Sequence, residues 1–110
     1  MEVRHRVHYY HAADGSLPFH EWLQALNDPI GRHRIRARLK LLEFGHLGDW
    51  KNIGEGVVEL RIHTGPGYRI YMGKGKPDTA IILWAGLKRT QARDIARARH
   101  YWADYRRRMK

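Results

Sequence analysis

The sequence predicts an α+β fold with its elements in the order β-α-α-β-β-β-α. Three observations carry that reading. A period-2 alternation stands near the start, and two stretches of helical apolar spacing follow it. Three short β-type segments, separated by glycine-rich turns, then precede a last helical stretch. No repeat, linker or low-complexity block interrupts residues 1–110, which read as a single domain.

"VRHRVHYY" (3–10) sets Val3, Val7 and Tyr9 against Arg4, Arg6 and His8, the alternation of a strand. After the loop "HAADGS", Ser16 is placed to cap a helix whose Phe19, Trp22, Leu23 and Leu26 form one apolar stripe. Asp28 suits an N-cap and Pro29 a first helical residue. The second helix should run to about Phe44 with Ile35, Leu39 and Leu42 inward, and stop at Gly45. The short gap makes the two helices an antiparallel hairpin on one face of the sheet. "GHLGDWKNIGEG" (45–56) reads as a loop. Strands are expected over 57–64, 68–72 and 79–86, joined by turn-like "GPG" and "GKGKPD" into an antiparallel meander with helices on one face. The last helix starts near Thr90 and carries Ile95, Ala98, Trp102 and Tyr105 on one side. Trp22, Trp84 and Trp102 are read as core, and Trp50 as a loop residue.

A composition of 43% hydrophobic and 29% charged residues belongs to a folded chain rather than a disordered tail. Without cysteine, disulfide frameworks and thiolate metal sites are excluded. The start lacks the apolar run of a signal peptide, and no stretch approaches the ~20 apolar residues of a membrane span. A cytoplasmic protein with no membrane association is expected. His5, His8 and His11 lack supporting ligands for zinc, and "GEG" and "GKGK" lack Walker spacing, so neither a metal nor a cofactor is expected.

Charge is the strongest global signal, at +10 overall. Residues 1–55 hold 8 basic and 7 acidic side chains, whereas residues 56–110 hold 13 basic against 4 acidic, a net +9. Such a field draws polyanions, nucleic acid first, with anionic membrane surfaces and acidic proteins as alternatives. The arginines of "RHRIRARLK" (32–40) read as a solvated helix side, with docking on RNA or an acidic partner as the other reading. "RRRMK" (106–110) reads as a frayed basic end.

The segment "ELRIHTGPGYRIYM" (59–72) raises a specific question of side-chain direction. Burying Val58, Leu60, Ile62, Ile70 and Met72 requires paired positions to sum to an even number, hence an odd-length loop. Glu59, Arg61, His63, Arg69 and Tyr71 then share the outward face. Lys88 and Arg89 follow the third meander strand and are placed to close a cationic wall beside them. Guanidinium forks suit a phosphodiester and the charge that builds on it in a transition state. His63 is a candidate to move a proton, and Tyr71 suits stacking or a phosphate hydrogen bond. The competing reading is a solvated sheet face on which Glu59 neutralises Arg61.

With "LWAGLKRTQARDIARARHYWADYRRR" following that hairpin, nearly the whole chain resembles the RelE/ParE toxin superfamily. The nearest match is its HigB-like "addiction module killer protein" branch, related to a phage-derived family. The matching positions are Glu59 to Ile62, Gly65 to Arg69, Gly86, Lys88, Gln91, Asp94 and Ile95, with "FHEWLQAL" (19–26) beside them. The resemblance implies a RelE-like, microbial-RNase-like α+β domain and the toxin of a type II toxin–antitoxin pair. The implied partners are a cognate antitoxin, often a helix-turn-helix protein, and mRNA on the ribosome, with DNA reached only through the antitoxin. It implies metal-independent cleavage, in which the ribose 2′-hydroxyl attacks the adjacent phosphate and leaves a cyclic phosphate. Arg69 carries over as phosphate and transition-state contact, Lys88 or Arg89 as the basic residue after the sheet, and Arg61 as the block's arginine. Lys74 and Arg93 join Arg89 as expected RNA contacts. Where some RelE enzymes have lysines, this chain has Val57 and Glu59, so the base stays open among His63, Lys88 and Tyr71. ParE-type relatives poison DNA gyrase on the same fold, and a non-toxic basic nucleic-acid-binding module is a third reading.

Overall fold

A computed structural model describes residues 5–109; Val3 and Arg4 of the expected first strand lie outside them. The elements are β1 (Arg6–Tyr9), α1 (Pro18–Ala25), α2 (Pro29–Glu43), β2 (Trp50–Asn52), β3 (Val57–Ile62), β4 (Tyr68–Gly75), β5 (Thr79–Leu87) and α3 (Gln91–Arg108), with a short 3-10 turn at Lys88–Thr90. The sheet order is β1-β5-β4-β3-β2.

Two expectations about the sheet are corrected. It is mixed rather than antiparallel, because the meander returns the chain beside β1 running in the same direction, and β1 pairs with β5 in parallel. The glycine-rich segment also contributes β2, which pairs antiparallel with Val58, Glu59 and Leu60 at the sheet edge. Trp50 there is 45% exposed, with the Lys74 ammonium 5.4 Å from its ring centre.

The helix signals resolve unevenly. Asp28 caps α2 by accepting from the Gly31 N–H at 3.0 Å, and Pro29 takes the first turn. Ser16 does not cap α1. Its N–H is held by Asp14 Oδ1 in an Asx-type turn, and Leu17 precedes a helix begun by Pro18. Thr90 precedes α3, yet its hydroxyl accepts from the Leu87 N–H rather than from a helical one.

The helices do not share one face. Even-numbered Val58, Leu60, Ile62, Ile70 and Met72 pack with Phe19, Leu23, Ile35, Leu39 and Leu42 under α1 and α2. Odd-numbered Val57, Tyr71, Ile81 and Leu83 pack with Ala98 and Trp102 of α3 on the other side. Apolar residues at both parities oblige the sheet to be covered twice. α3 comes close because β4 carries Gly73 beneath it: a Cβ there would meet the Trp102 ring at 2.3 Å. Trp102 is therefore core, whereas Trp22 and Trp84 are half-buried.

Two basic runs are also reassigned. Arg38 donates to the carbonyls of Leu47, Asp49 and Arg61, folding residues 45–49 onto α2 and β3, and Arg32 donates to Leu26. Of the arginines and the lysine in that run, only Arg34, Arg36 and Lys40 are exposed. The C-terminal arginines continue α3 to Arg108 instead of fraying, because Arg107 and Arg108 both pair with Asp104. Among the described residues no helix is long and apolar enough to cross a membrane.

Candidate functional site

The β3–β4 register sets Glu59 opposite Tyr71 and Arg61 opposite Arg69, so the paired numbers sum to an even value as required. The connecting loop is odd in length, but it spans five residues, 63–67, since His63 and Thr64 leave the strand. In β5 a bulge at Leu83 puts Trp84 opposite Tyr71, while Ile82 pairs with Met72. Glu59, Tyr71 and Trp84 thus form one row across the face that α3 covers.

That cover buries the row at Glu59 and Tyr71 and leaves only Trp84 half-buried. Glu59 and Tyr71 are 0% exposed and Arg69 is 5% exposed. Glu59 accepts from Arg61 Nε at 2.9 Å and from Gln91 Nε2 of α3 at 2.8 Å, and Arg69 Nε stands 3.9 Å away. Burial alone would raise the Glu59 pKa. The hydrogen bonds from Gln91 and Arg61, with the Arg61 charge, outweigh it and hold the carboxyl below its ordinary 4.5. Both guanidinium groups therefore converge, but on an internal carboxylate. The Arg61 side chain keeps 28% of its surface exposed.

Lys88 closes the same end of the sheet. Its backbone N–H donates to the Gly67 carbonyl at 2.7 Å. A Cβ on Gly67 would lie 3.3 Å from Lys88 Cβ and 3.7 Å from Arg69 Nη1, so the two cationic side chains flank one glycine. The Lys88 side chain is exposed, as is Arg89.

His63 has an unexpected neighbour: its Nε2 lies 2.5 Å from Asp49 Oδ2. The Asp49 carbonyl of the same segment accepts from the Arg61 N–H, and Arg38 anchors it from α2. The His63 hydrogen bond, partly offset by burial, draws the Asp49 pKa below its ordinary value. Asp49 was invisible in the sequence because it lies in an irregular segment 14 residues upstream of His63. Gln91 was legible only as a matched position; its role came from the reach of α3 across the sheet.

The remaining candidates separate. Tyr71 has no exposed face for stacking, and its buried hydroxyl lies by Glu59 without a hydrogen bond of normal geometry. Burial, then the Glu59 charge, push its pKa far above the phenol's usual value, which leaves it neutral and a poor proton carrier. Lys74 pairs with Ala80 on the opposite, α1–α2 face, so the structure does not bring it to this site. Arg93 is exposed on the first turn of α3 and lines a shallow depression of about 280 Å³ with Arg89. Asp94 is structural. It accepts from Trp84 Nε1 at 3.0 Å, lies 2.5 Å from Thr90 Oγ1, and occupies the space over Gly86, where a Cβ would meet it at 1.8 Å. Among the described residues no group of three or more His, Asp or Glu side chains is arranged to hold a metal ion.

An uncharacterized protein of Haemophilus influenzae is 40% identical to this chain over 84 residues, spanning 76% of the chain and 85% of that protein. The chain belongs to that protein's family. No family model matches it.

Proposed function

We propose that the chain is the toxin of a type II toxin–antitoxin pair and a metal-independent mRNA endoribonuclease of RelE/HigB type. It acts in the cytoplasm on ribosome-bound mRNA and is neutralised by a cognate antitoxin. The observation that supports this reading is the meeting of Arg61, Arg69 and Lys88 at one end of the sheet, with an Asp49–His63 pair beside Arg61.

In this reading Arg61 and Lys88 hold the non-bridging oxygens of the scissile phosphate, and Arg69 supports them from beneath. Asp49 accepts from His63 Nε2–H, which leaves Nδ1 as the acceptor for the 2′-hydroxyl proton. The 2′-oxygen forms its bond to phosphorus as the 5′-oxygen bond breaks, and the Lys88 ammonium protonates the leaving oxygen. The products are a 2′,3′-cyclic phosphate and a 5′-hydroxyl.

The test is induction of the chain without an antitoxin, with transcript ends mapped. Arrest with new 5′-hydroxyl ends is expected, lost in folded Arg61→Ala and reduced at least about 100-fold in His63→Ala. A folded Arg61→Ala protein that still cuts overturns the site. The cover over Arg69 and the pairing of Arg61 with Glu59 favour one second reading, a ParE-like poison of DNA gyrase that grips protein rather than phosphate. Intact transcripts with a DNA-damage response would mark it.

A further inference from the structure

Arg61 and Glu59 lie on one flank of the α3 N-terminus, and the other flank carries surface that the reading above leaves unused. β1 ends at Tyr9, opposite Ile82, while β5 continues to Leu87. Trp84 therefore has no neighbouring strand on that side. A depression of about 380 Å³ opens there, lined by Ser16, Pro18, Glu21, Trp22, Trp84 and Tyr101. Trp84 and Tyr101 meet edge to face with centres 6.1 Å apart. The row Glu59–Tyr71–Trp84 puts Trp84 two strands, about 10 Å, from Glu59.

A ladder of arginines joins the two flanks. Arg89 leads to Arg93 and Arg97, which stand one turn apart, ~6 Å along the α3 axis. That step is comparable with the distance between successive phosphates in an extended strand. The Arg97 guanidinium lies over the Trp84 ring at 4.7 Å. Guanidinium planes and aromatic faces are the surfaces on which unpaired bases stack.

We propose that this depression is a base-stacking subsite for a nucleotide flanking the phosphate at Arg61 and Lys88, with Arg89, Arg93 and Arg97 following the connecting backbone. The inference rests on the RNA reading of that site. Glu21 on the rim repels a phosphate and accepts from a base N–H, so the base enters and the backbone stays on the arginines.

Fluorescence anisotropy with a four-nucleotide and a ten-nucleotide single-stranded RNA tests it. The wild type is expected to bind the longer RNA at least about tenfold more tightly. Arg97→Ala, a change at an exposed side chain, should lower the salt slope for the longer RNA by about 0.7 and leave that of the shorter one. Tyr101→Leu, checked by circular dichroism, should cost the longer RNA at least about fivefold with its slope unchanged. Equal affinity for both lengths, or a ten-nucleotide slope that Arg97→Ala does not move, overturns the subsite and leaves the nuclease reading standing. Binding of neither RNA at low salt overturns both.

Discussion

At Glu59 the chain buries a carboxylate between two guanidinium groups, and burial decides what the three groups do to one another. Breaking such an arrangement strands charge away from water, so Glu59→Gln is expected to lower stability by about 3 kcal/mol at neutral pH. The pH dependence has a definite sign. The folded pKa is depressed, so the stabilisation is complete above the ordinary value of 4.5 and lost as pH falls through the lower folded value. The gap between wild type and Glu59→Gln in urea midpoints should therefore narrow on acidification below 4.5. A constant gap would mean that the charge is not what stabilises. Gly86 makes the complementary point without charge. Gly86→Ala drives a methyl into the Asp94 carboxylate, and a loss of about 3 kcal/mol with an unchanged urea m-value is expected.

The N-terminus of α2 is tied to the sheet by a residue that serves two elements at once. Asp28 caps the helix and, 2.5 Å away, receives the Tyr68 hydroxyl, which burial and the Asp28 charge push up to about 12. Losing a cap costs about 1 kcal/mol, and an unpaired buried hydroxyl about 1–3 more. Asp28→Ala should then lose about 2–4 kcal/mol, and Tyr68→Phe should recover part of it in a double-mutant cycle. Additive losses would show that the two contacts act independently. At the other end of α2, the Arg38 bonds to three carbonyls place the segment that carries Asp49. The placement of Asp49 beside His63 thus depends on an anchor in α2.

The molecule as a whole is one sheet with a core on each side, and β3, β4 and β5 contribute to both. Neither core can be lost while the shared strands persist. Urea unfolding is therefore expected as one transition, coincident by tryptophan fluorescence and far-UV circular dichroism. Trp22 reports the α1–α2 side, and Trp84 and Trp102 the α3 side. Two separated transitions would show that α3 detaches first. Charge follows the same division: the face carrying α3 holds Arg89, Arg93, Arg97, Arg106 and Arg107 exposed. Polyanions should meet that face first, and its association rate should fall steeply with salt.

Local pattern determined seven of the eight regular elements among the described residues, because helical apolar spacing and β-type runs bounded by glycine-rich turns are set by the chain itself, whatever surrounds it. Parity likewise determined that Arg61 and Arg69 project together, since alternation in a paired strand admits only two registers. Distance along the chain hid the rest. β2 is too short and polar to declare itself. The parallel pairing of β1 needs the whole meander to be laid down first, and the bulge at Leu83 moves Trp84 by breaking the period on which sequence reading relies. Above all, tertiary structure decided that α3 lies over the odd-numbered face. The alternation marks which residues share a side, but only the second layer decides whether that side meets water, and here it turned an open arginine face into a buried ion cluster with one exposed edge.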